Sequence, residues 1–491
     1  IGDLMSLIIP ANTLASGGYA VDNSCRFNDG SSDYMHKTPS SAGNLRTWTF
    51  STWFKRSNIS LGQKIFSVKK DASNSFESYF NTNDTLAFYH YSSNGGVTDA
   101  FLGTDQVFRD TSAWYHIVFS VDTTQGTASN RVKMYVNGEQ VTSLSTAIYF
   151  NQDYDTYIDS ANENRIGANL NNSVSQFFDG YLAETVLIDG QQLDATSFGE
   201  FDSDSSIWKP ISVSGLTFGT NGFHLDYQDS ANLGNDANGG TDFTEVNLTA
   251  IDQTTDTPTN NFITLNPLIG YTSQTDNQVY SEGNTIIIPN STDNYGTGSS
   301  TIGLKGGKWY WEAQIVWNGT SNNANFPRTI GFCTENYLFN YSYLGQDGES
   351  WGIIFADASP DIWRLEHGGS SGDISGATTM ANGGTMNLAL DLDNGKFYVG
   401  YNGTFFTSGD PTSGATGTGA IATLDATDLS KYIFPAVTNA TNSTYYKFNF
   451  GNPAYAISSG NTDGNDRGNF EFTVPDGYLS ICTANLSEVL G

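Results

Sequence analysis

The chain is short of positive charge. Only 21 of its 491 residues are Lys or Arg, against 51 that are Asp or Glu, and the formal net charge is −30. A surface of this sign repels a polyphosphate backbone, so the composition excludes nucleic acid as a partner. Charged residues make up only 15% of the chain, so Asn, Ser, Thr and Gly must supply most of the remaining polar surface.

Cysteines and long apolar runs are also scarce. Cys25, Cys333 and Cys482 are an odd number at wide spacing, which supports neither a disulfide framework nor a zinc site and predicts buried thiols. No run of 18 apolar residues occurs, so we predict no membrane span. Residues 4–15 are too short and lack the basic flank of a signal peptide.

Helical periodicity is nearly absent, apart from about one turn at residues 194–201. Apolar and polar residues instead alternate with period two, as in a strand with one buried face. Inward positions of this kind are Trp309, Trp311, Ala313 and Ile315, and Tyr115, Ile117, Phe119 and Val121, whereas Trp114 and His116 fall on the outer phase. Asn-Gly pairs between such runs are typical of hairpin turns. The sequence therefore predicts an all-β protein of packed antiparallel sheets.

A change of composition divides the chain. Residues 202–206 are only Asp and Ser, and residues 226–261 contain few large apolar side chains. We predict two antiparallel β-sandwich (jelly-roll) domains, at 1–208 and 262–491, joined by an ordered extended bridge at 209–261. The apolar residues of the bridge are spaced as though they dock on a neighbouring surface, and a flexible linker is the alternative.

Five motifs follow one another in the first half, at residues 25–30, 48–55, 113–118, 132–138 and 178–184. Their order resembles the concanavalin A-like jelly roll of the laminin G and pentraxin kind over about residues 20–201. The second half resembles a SPRY domain over about residues 262–485. The motifs for this second resemblance are at residues 307–312, 330–333, 350–353, 390–397, 401–403, 434–437 and 448–451. The pairing of both modules, with residues 5–12 and 479–486, is similar to structural proteins of marine tailed phages.

The phage resemblance implies a non-enzymatic virion protein of a tail fibre, spike or capsid decoration. Its expected place is the virion surface, and its expected partners are other virion proteins, further copies of itself (a trimer is favoured) and a host-surface glycan or protein. A secreted glycan-binding lectin or a glycoside hydrolase on the same folds is the alternative. A hydrolase needs two facing carboxylates. Glu200, Asp202 and Asp204 come nearest to that spacing, and a solvated linker explains them better.

Calcium is the one cofactor that the resemblance suggests, because related sandwiches often hold it at one rim. The carboxylates that could bind it are Asp29, Asp33, Asp153, Asp155 and Asp159. Each of these loops also has the composition of an ordinary β-turn, which explains any single loop better.

Loops at one end of a SPRY domain usually recognise its partner. The resemblance carries this role to Tyr337, Phe339, Tyr341, Tyr343, Trp363, Arg364 and Glu366. An ordinary edge strand explains the same tyrosines equally well. Two further pairs, Tyr89 with Tyr91 and Tyr154 with Tyr157, are also expected in loops.

Overall fold

Strands dominate the computed structural model, which describes residues 18–71, 73–92, 97–170, 174–272, 278–288, 296–317, 329–337, 343–356, 362–376, 378, 380–439 and 444–490. The chain forms two compact units, Ala15–Asn261 and a second that begins at Phe262. Both are built from antiparallel sheets, which confirms the predicted all-β class.

The described residues of the first unit form twenty strands. They are β1 (Ser24–Phe27), β2 (Tyr34–Lys37), β3 (Thr47–Arg56), β4 (Gln63–Asp71), β5 (Asn74–Phe80), β6 (Thr85–Ser92), β7 (Val97–Val107), β8 (Tyr115–Asp122), β9 (Val132–Val136), β10 (Glu139–Gln140), β11 (Leu144–Ile148), β12 (Glu163–Ile166), β13 (Asn169–Leu170), β14 (Val174–Ser175), β15 (Gly180–Asp189), β16 (Gly199–Phe201), β17 (Trp208–Pro210), β18 (Phe223–Leu225), β19 (Thr244–Val246) and β20 (Gln253–Thr254). Short 3-10 helices cover Ala128–Asn130, Ala195–Ser197 and Ala250–Asp252. The second of these is the single turn predicted at residues 194–201.

Two large sheets form the sandwich of the first unit. Sheet A has the order β10-β9-β8-β3-β15-β1-β20, with β18 paired to β15, and sheet B has the order β11-β7-β6-β5-β4-β12-β2-β19. Alternate residues point inward from both sheets into one core. Its members include Trp48, Phe50, Phe66, Phe88 and Phe119, all fully buried.

A second apolar layer covers the outer face of sheet A. Trp53, Val118 and Val186 point outward from the sheet and pack against Phe198 and Trp208, which come from the chain that follows β15. The Asp/Ser run at residues 202–206 is the turn between β16 and β17, which pair with each other, rather than a linker. Sheet A is therefore buried on both faces, which the alternation in the sequence did not predict.

The segment predicted as a bridge belongs to the first unit. Its strand β18 pairs with β15, β19 pairs with β2 and β20 pairs with β1, so residues 209–261 add one strand to each of three ladders. A buried ion pair fixes its end: Lys55 Nζ lies 2.8 Å from Asp256 Oδ2. The segment is ordered, as expected, but it forms part of the sandwich rather than a connector between domains.

In the second unit, the part of the chain that the structure describes forms fifteen strands and two short α-helices. The strands are β21 (Leu265–Thr272), β22 (Val279–Ser281), β23 (Ile286–Ile288), β24 (Gly296–Ser300), β25 (Lys308–Trp317), β26 (Thr329–Thr334), β27 (Ser350–Ala356), β28 (Ile362–His367), β29 (Ser370–Asp373), β30 (Thr385–Asp391), β31 (Lys396–Tyr401), β32 (Thr404–Phe405), β33 (Ala422–Thr423), β34 (Ile433–Asn439) and β35 (Thr444–Asn449). The helices are α1 (Ala426–Leu429) and α2 (Thr483–Leu490), and 3-10 helices cover Phe406–Ser408 and Pro411–Thr416.

Two sheets again enclose a core. Sheet C has the order β21-β24-β34-β26-β27-β28-β29, and sheet D has the order β22-β23-β35-β25-β30-β31-β32, with β33 paired to β31. The predicted inward residues Trp309, Trp311, Ala313 and Ile315 all lie in this core. The outer phase of β25 is buried too, because Tyr310 packs under residues 470–478.

Turns and thiols follow the predictions. Asn137 and Gly138 join β9 to β10 with φ of 46° and 85°, and Asn402 and Gly403 join β31 to β32 with φ of 47° and 83°. Positive φ at both positions gives the twist that a two-residue hairpin needs.

The three cysteines are free and buried. No helix within the described residues is long and apolar enough to cross a membrane.

Candidate functional site

Two of the seven residues predicted to contact a partner lie in the core. Tyr337 is 1% exposed and packs with Cys333, Leu344 and Phe434. Trp363 is also 1% exposed, and its Nε1 donates to the carbonyl of Thr378 at 2.9 Å. Neither ring is accessible to a partner, so both predictions were wrong. Phe339 and Tyr341 lie outside the described residues.

The other three predicted residues remain partly accessible at the edge of sheet C. Arg364 Nε donates to Asp373 Oδ1 at 2.8 Å, which ties β28 to β29. Glu366 accepts a hydrogen bond from Tyr343, and burial raises the pKa of its carboxyl group. Arg364 with Asp373, and Tyr343 with Glu366, thus form two polar pairs near this edge of the sheet.

The acidic residues proposed as calcium ligands fall in three places. Asp33 Oδ2 accepts the Asn28 amide at 2.9 Å and Ser32 N donates to the Asp29 carbonyl, which closes a turn. Asp153 and Asp155 share the Arg46 guanidinium, at 3.4 and 2.6 Å. Within the described ranges, no three His, Cys, Asp or Glu side chains converge as a metal site would require.

Asp159 differs from the other four. Its side chain is 1% exposed, and neither carboxylate oxygen has a hydrogen-bond partner. Burial raises the pKa of this carboxyl group well above its usual value, and the nearby Asp189 raises it further, whereas Lys37 lowers it. The structure therefore holds an acid that is costly to ionise.

A buried Ser–His pair lies on the outer face of sheet A. Ser51 Oγ is 2.8 Å from His116 Nε2, and the indole N–H of Trp208 donates to His116 Nδ1 at 3.0 Å. Because an indole nitrogen can only donate, Nδ1 carries no proton and the neutral ring keeps its proton on Nε2. Burial lowers the pKa of His116 to about 3. The imidazole cannot take the proton of Ser51, so the pair is structural.

The outer face of sheet B carries an array of partly exposed aromatic rings. The array, here called the tyrosine face, comprises Tyr79 on β5, Tyr89 and Tyr91 on β6, and Phe101 on β7. All four are partly exposed. Tyr89 and Phe101 are direct cross-strand partners, and three adjacent strands place the rings across about 10 Å.

Ring contacts hold the tyrosine face in one arrangement. The centroids of Tyr89 and Tyr91 are 6.1 Å apart with nearly parallel planes, at 15°. Tyr79 and Phe101 meet Tyr89 edge to face, at 6.4 and 5.5 Å. Contacts of this kind stabilise aromatic pairs beyond the burial of their area.

One ion pair completes this surface. Lys64 Nζ lies 2.7 Å from Glu77 Oε2 and 3.5 Å from the Tyr79 ring centroid. Burial lowers the pKa of Lys64, and burial together with the Glu77 carboxylate raises the pKa of Tyr79 to about 12. The face thus offers apolar rings beside fixed donors and acceptors.

Sequence reasoning missed most of the tyrosine face. It placed Tyr89 and Tyr91 in a loop, whereas both lie in β6, and it did not single out Tyr79 or Phe101. The signal was present as period-two spacing, since residues 75, 77 and 79 and then 89 and 91 are every second residue of their strands.

The first unit is similar to known lectin-like domains. The model of the concanavalin A-like lectin/glucanases superfamily matches residues 29–193, a segment that includes the whole tyrosine face. Residues 29–193 are thus similar to a concanavalin A-like domain, in agreement with the resemblance that the motifs carry. No curated protein matches the chain.

Solved structures also match the chain, at low sequence identity. The SPRY domain of human HERC1 is 16% identical and covers 38% of this chain and 96% of its own, with a TM-score of 0.26. A heptameric SAP-like pentraxin from Limulus polyphemus is 14% identical, with coverages of 42% and 94% and a TM-score of 0.29. Domains LG4-5 of the mouse laminin α1 chain are 10% identical, with coverages of 86% and 84% and a TM-score of 0.28.

Proposed function

We propose that this chain is a non-enzymatic recognition protein of a phage particle surface, and that its tyrosine face binds glycans of a host surface. The observation that carries the glycan-binding part is the tyrosine face itself. Sugars lay their C–H faces on aromatic rings while fixed polar groups take their hydroxyls. The place on a virion rests on the sequence resemblance to phage structural proteins.

The contrast between the two sheets of the first unit supports this assignment. The chain that follows β15 buries the outer face of sheet A under an apolar layer that includes Trp208 and Phe198. Among the described residues, no such layer covers Tyr89, Tyr91 and Phe101 on sheet B. Partly exposed aromatic rings grouped on one uncovered face are typical of a binding surface.

Glycan binding is tested by screening the full chain against an array of bacterial surface polysaccharides and measuring the affinity of each hit. Replacing both Tyr89 and Tyr91 with Ala should weaken binding about tenfold or more, because each lost ring contact contributes roughly 0.5–1.5 kcal/mol. Tyr135→Ala is the matched control, since Tyr135 lies on β9 of sheet A, away from the face. Its affinity should equal that of the wild type.

Two results would contradict the proposal. Equal binding by the double variant would remove the tyrosine face from the function. Release of reducing sugar ends from any bound polysaccharide would favour the alternative, a glycoside hydrolase on the same fold.

A further inference from the structure

A cavity of about 470 Å³ opens in the second unit, beside the edge of sheet C. Leu365 and His367 of β28, Ser370 and Asp373 of β29, and Thr407 are among its lining residues. The volume lies in the roughly 300–1,000 Å³ range of small-molecule sites. The cavity contains none of the residues predicted from the sequence and belongs to a different unit from the tyrosine face.

The lining changes from apolar to polar toward solvent. Ile374 is buried and joins the core of the unit, and Ile421 packs against that core. Ser370, Ser371 and Ser375 are exposed and bring hydroxyl groups to the same cavity. An apolar inner wall with polar groups at the opening can hold a molecule that has both C–H and O–H surfaces.

His367 is a rigid part of the wall. Its ring stacks on Trp351 with a centroid distance of 4.3 Å and an interplanar angle of 10°. Nδ1 lies 2.9 Å from the carbonyl oxygen of Ser350, so this nitrogen must carry the donated proton. In the neutral ring, Nε2 is therefore a hydrogen-bond acceptor.

Thr407 also lines the cavity, and its backbone is strained. Thr407 and Ser408 are consecutive non-glycine residues with φ of 56° and 53°. Thr407 N donates to the Ser375 carbonyl at 3.2 Å, and the Thr407 hydroxyl donates to the carbonyl of Gly419. Such conformations are strained for residues with a Cβ, and proteins concentrate this strain at binding sites and switches.

The edge strand of sheet C, β29, lies beside the cavity. Ile374 N donates to the Trp363 carbonyl, so alternation directs the backbone N–H and C=O of Asp373 and Ser371 away from β28. Within the described residues, no further strand pairs with β29 on that side. A Cβ added to Gly372 would meet nothing within 4 Å, so the space over this residue is open.

We propose that this cavity binds a small neutral polyol of about monosaccharide size. None of its lining residues is Lys or Arg, and its polar groups are hydroxyls, the His367 imidazole and the Asp373 carboxylate, of which Oδ1 is paired with Arg364. Such a set accepts hydrogen bonds from sugar hydroxyls and repels an anion, all the more on a chain with a net charge of −30. The site is independent of the tyrosine face, so either can fail without the other.

The test is ligand-observed NMR on the full chain with the methyl glycosides of glucose, galactose, mannose and N-acetylglucosamine. Gly372→Leu fills the open space without a backbone penalty, since the φ of Gly372 is not positive. At least one glycoside should bind the wild type, and Gly372→Leu should weaken that binding at least tenfold. Ser370→Leu, at the exposed margin, serves as the second variant if Gly372→Leu fails to fold.

Two controls separate the outcomes. Gly464→Leu is matched, because a Cβ at Gly464 also meets nothing within 4 Å and this residue does not line the cavity. Gly464→Leu and the Tyr89/Tyr91 double variant should bind the glycoside as the wild type does. Failure of all four glycosides to bind, undiminished binding in folded Gly372→Leu and Ser370→Leu, or tighter binding of glucose 6-phosphate than of methyl glucoside would each overturn the proposal.

Discussion

Glu312 is a carboxylate enclosed by donors on the outer face of β25. Tyr310 Oη and the backbone N–H groups of Glu471 and Phe472 donate to it at 2.9, 3.0 and 2.8 Å, and Asn449 Nδ2 donates at 3.2 Å. Burial nevertheless raises its pKa to about 7 from the usual 4.5. Glu312 therefore makes the packing of residues 470–478 on the outer face of sheet D dependent on pH.

The sign of that link gives a prediction for Glu312→Gln. A pKa that is higher in the folded state makes a stabilising contribution below about pH 4.5, and the contribution is lost as pH rises through about 7. The stability of the wild type should therefore fall between pH 5 and pH 8. Glu312→Gln should show a smaller fall, and it should be destabilised at both pH values by roughly 1–3 kcal/mol, because its amide N–H₂ faces donors. Urea unfolding at the two pH values measures both effects.

Glu335→Gln is the matched control, because Glu335 is exposed in the same unit. An identical pH slope in wild type and Glu312→Gln would contradict the role given to Glu312.

Two tryptophans test which strand positions are buried in a core and which lie on an outer face. Trp311 is fully buried in the core, so Trp311→Ala should cost about 3–5 kcal/mol. Trp114 lies on the outer phase, where alternation alone predicts a mild effect. The structure covers it: its Nε1 donates to Asp256 Oδ1 at 3.0 Å, and its ring packs beside Tyr181. Trp114→Ala should therefore also cost more than about 1 kcal/mol in urea unfolding, since it removes a partner of a buried carboxylate. A loss near zero would show that this second layer contributes little.

Replacing the buried Asp159 with Asn should stabilise the folded protein. Burial and Asp189 raise the pKa of its carboxyl group, so ionising it costs stability as pH rises through that pKa. Asp159→Asn removes the charge, and Asn tolerates the φ of 59° at this position. The melting temperature should rise at pH 8 and change little at pH 5.

Asp153→Asn is the control for Asp159→Asn, because Asp153 has a similar φ of 60° but is exposed. Its melting temperature should not rise. A chelator should leave the wild-type melting temperature unchanged. A drop on chelation that Asp159→Asn abolishes would instead identify Asp159 as a calcium ligand.

At the scale of strands and sheets, the alternating pattern predicted the inward faces correctly and the outer faces poorly. Ile117, Phe119, Trp309 and Trp311 point into the cores as their spacing predicts. Spacing along one strand says nothing about a layer supplied from elsewhere in the chain. Residues 193–218 and 470–478 look polar and turn-rich, yet their few large apolar side chains cover the outer faces of β3, β15 and β25.

The candidate site was harder to predict than the fold for a related reason. Tyr89 and Tyr91 precede a Ser, Asn and Gly run that is typical of a loop, and only the pairing of β6 with β5 and β7 shows them on a sheet face. The cavity residues Ser370, Gly372 and Thr407 are common turn residues. These residues form a cavity only because β29 lies at the edge of its sheet and residues 405–421 fold beside it. A local sequence pattern shows neither of these facts.

The attachment of residues 209–261 to the first sandwich can be tested through the Lys55–Asp256 ion pair. Asp256 accepts from Lys55 and Trp114, and all of these groups are buried or partly buried. Asp256→Ala removes the carboxylate that pairs with the buried Lys55 ammonium, so it should cost about 3–5 kcal/mol. The double variant Lys55→Met with Asp256→Leu should recover much of that loss, because no unpaired charge remains.

Urea unfolding of the single and double variants measures this coupling. Ser230→Ala, at an exposed position of the same segment, should change stability by less than about 0.5 kcal/mol. A neutral Asp256→Ala would show that this ion pair contributes little to holding the end of the segment in place.

At the scale of the whole molecule, net charge governs association. Each chain carries −30, so bringing copies together is opposed by repulsion that acts over about 30 Å in 0.01 M salt and about 3 Å in 1 M salt. Repeated particle components are arranged by symmetry, and closed symmetry limits the number of copies. We therefore expect a homotrimer that is stable at high salt and dissociates at low ionic strength.

Light scattering of the purified chain at 0.01, 0.1 and 0.5 M NaCl tests this expectation, with a trimer mass at the highest salt. Antibody labelling of purified particles is the companion measurement, and it should place the protein on the particle surface, at the capsid or the tail. Labelling is needed because a trimer alone would equally suit a secreted lectin. A strict monomer at every salt concentration, together with unlabelled particles, would contradict both the predicted trimer and the proposed place on a virion. Neither result would affect the tyrosine face, whose glycan binding is measured on the isolated chain.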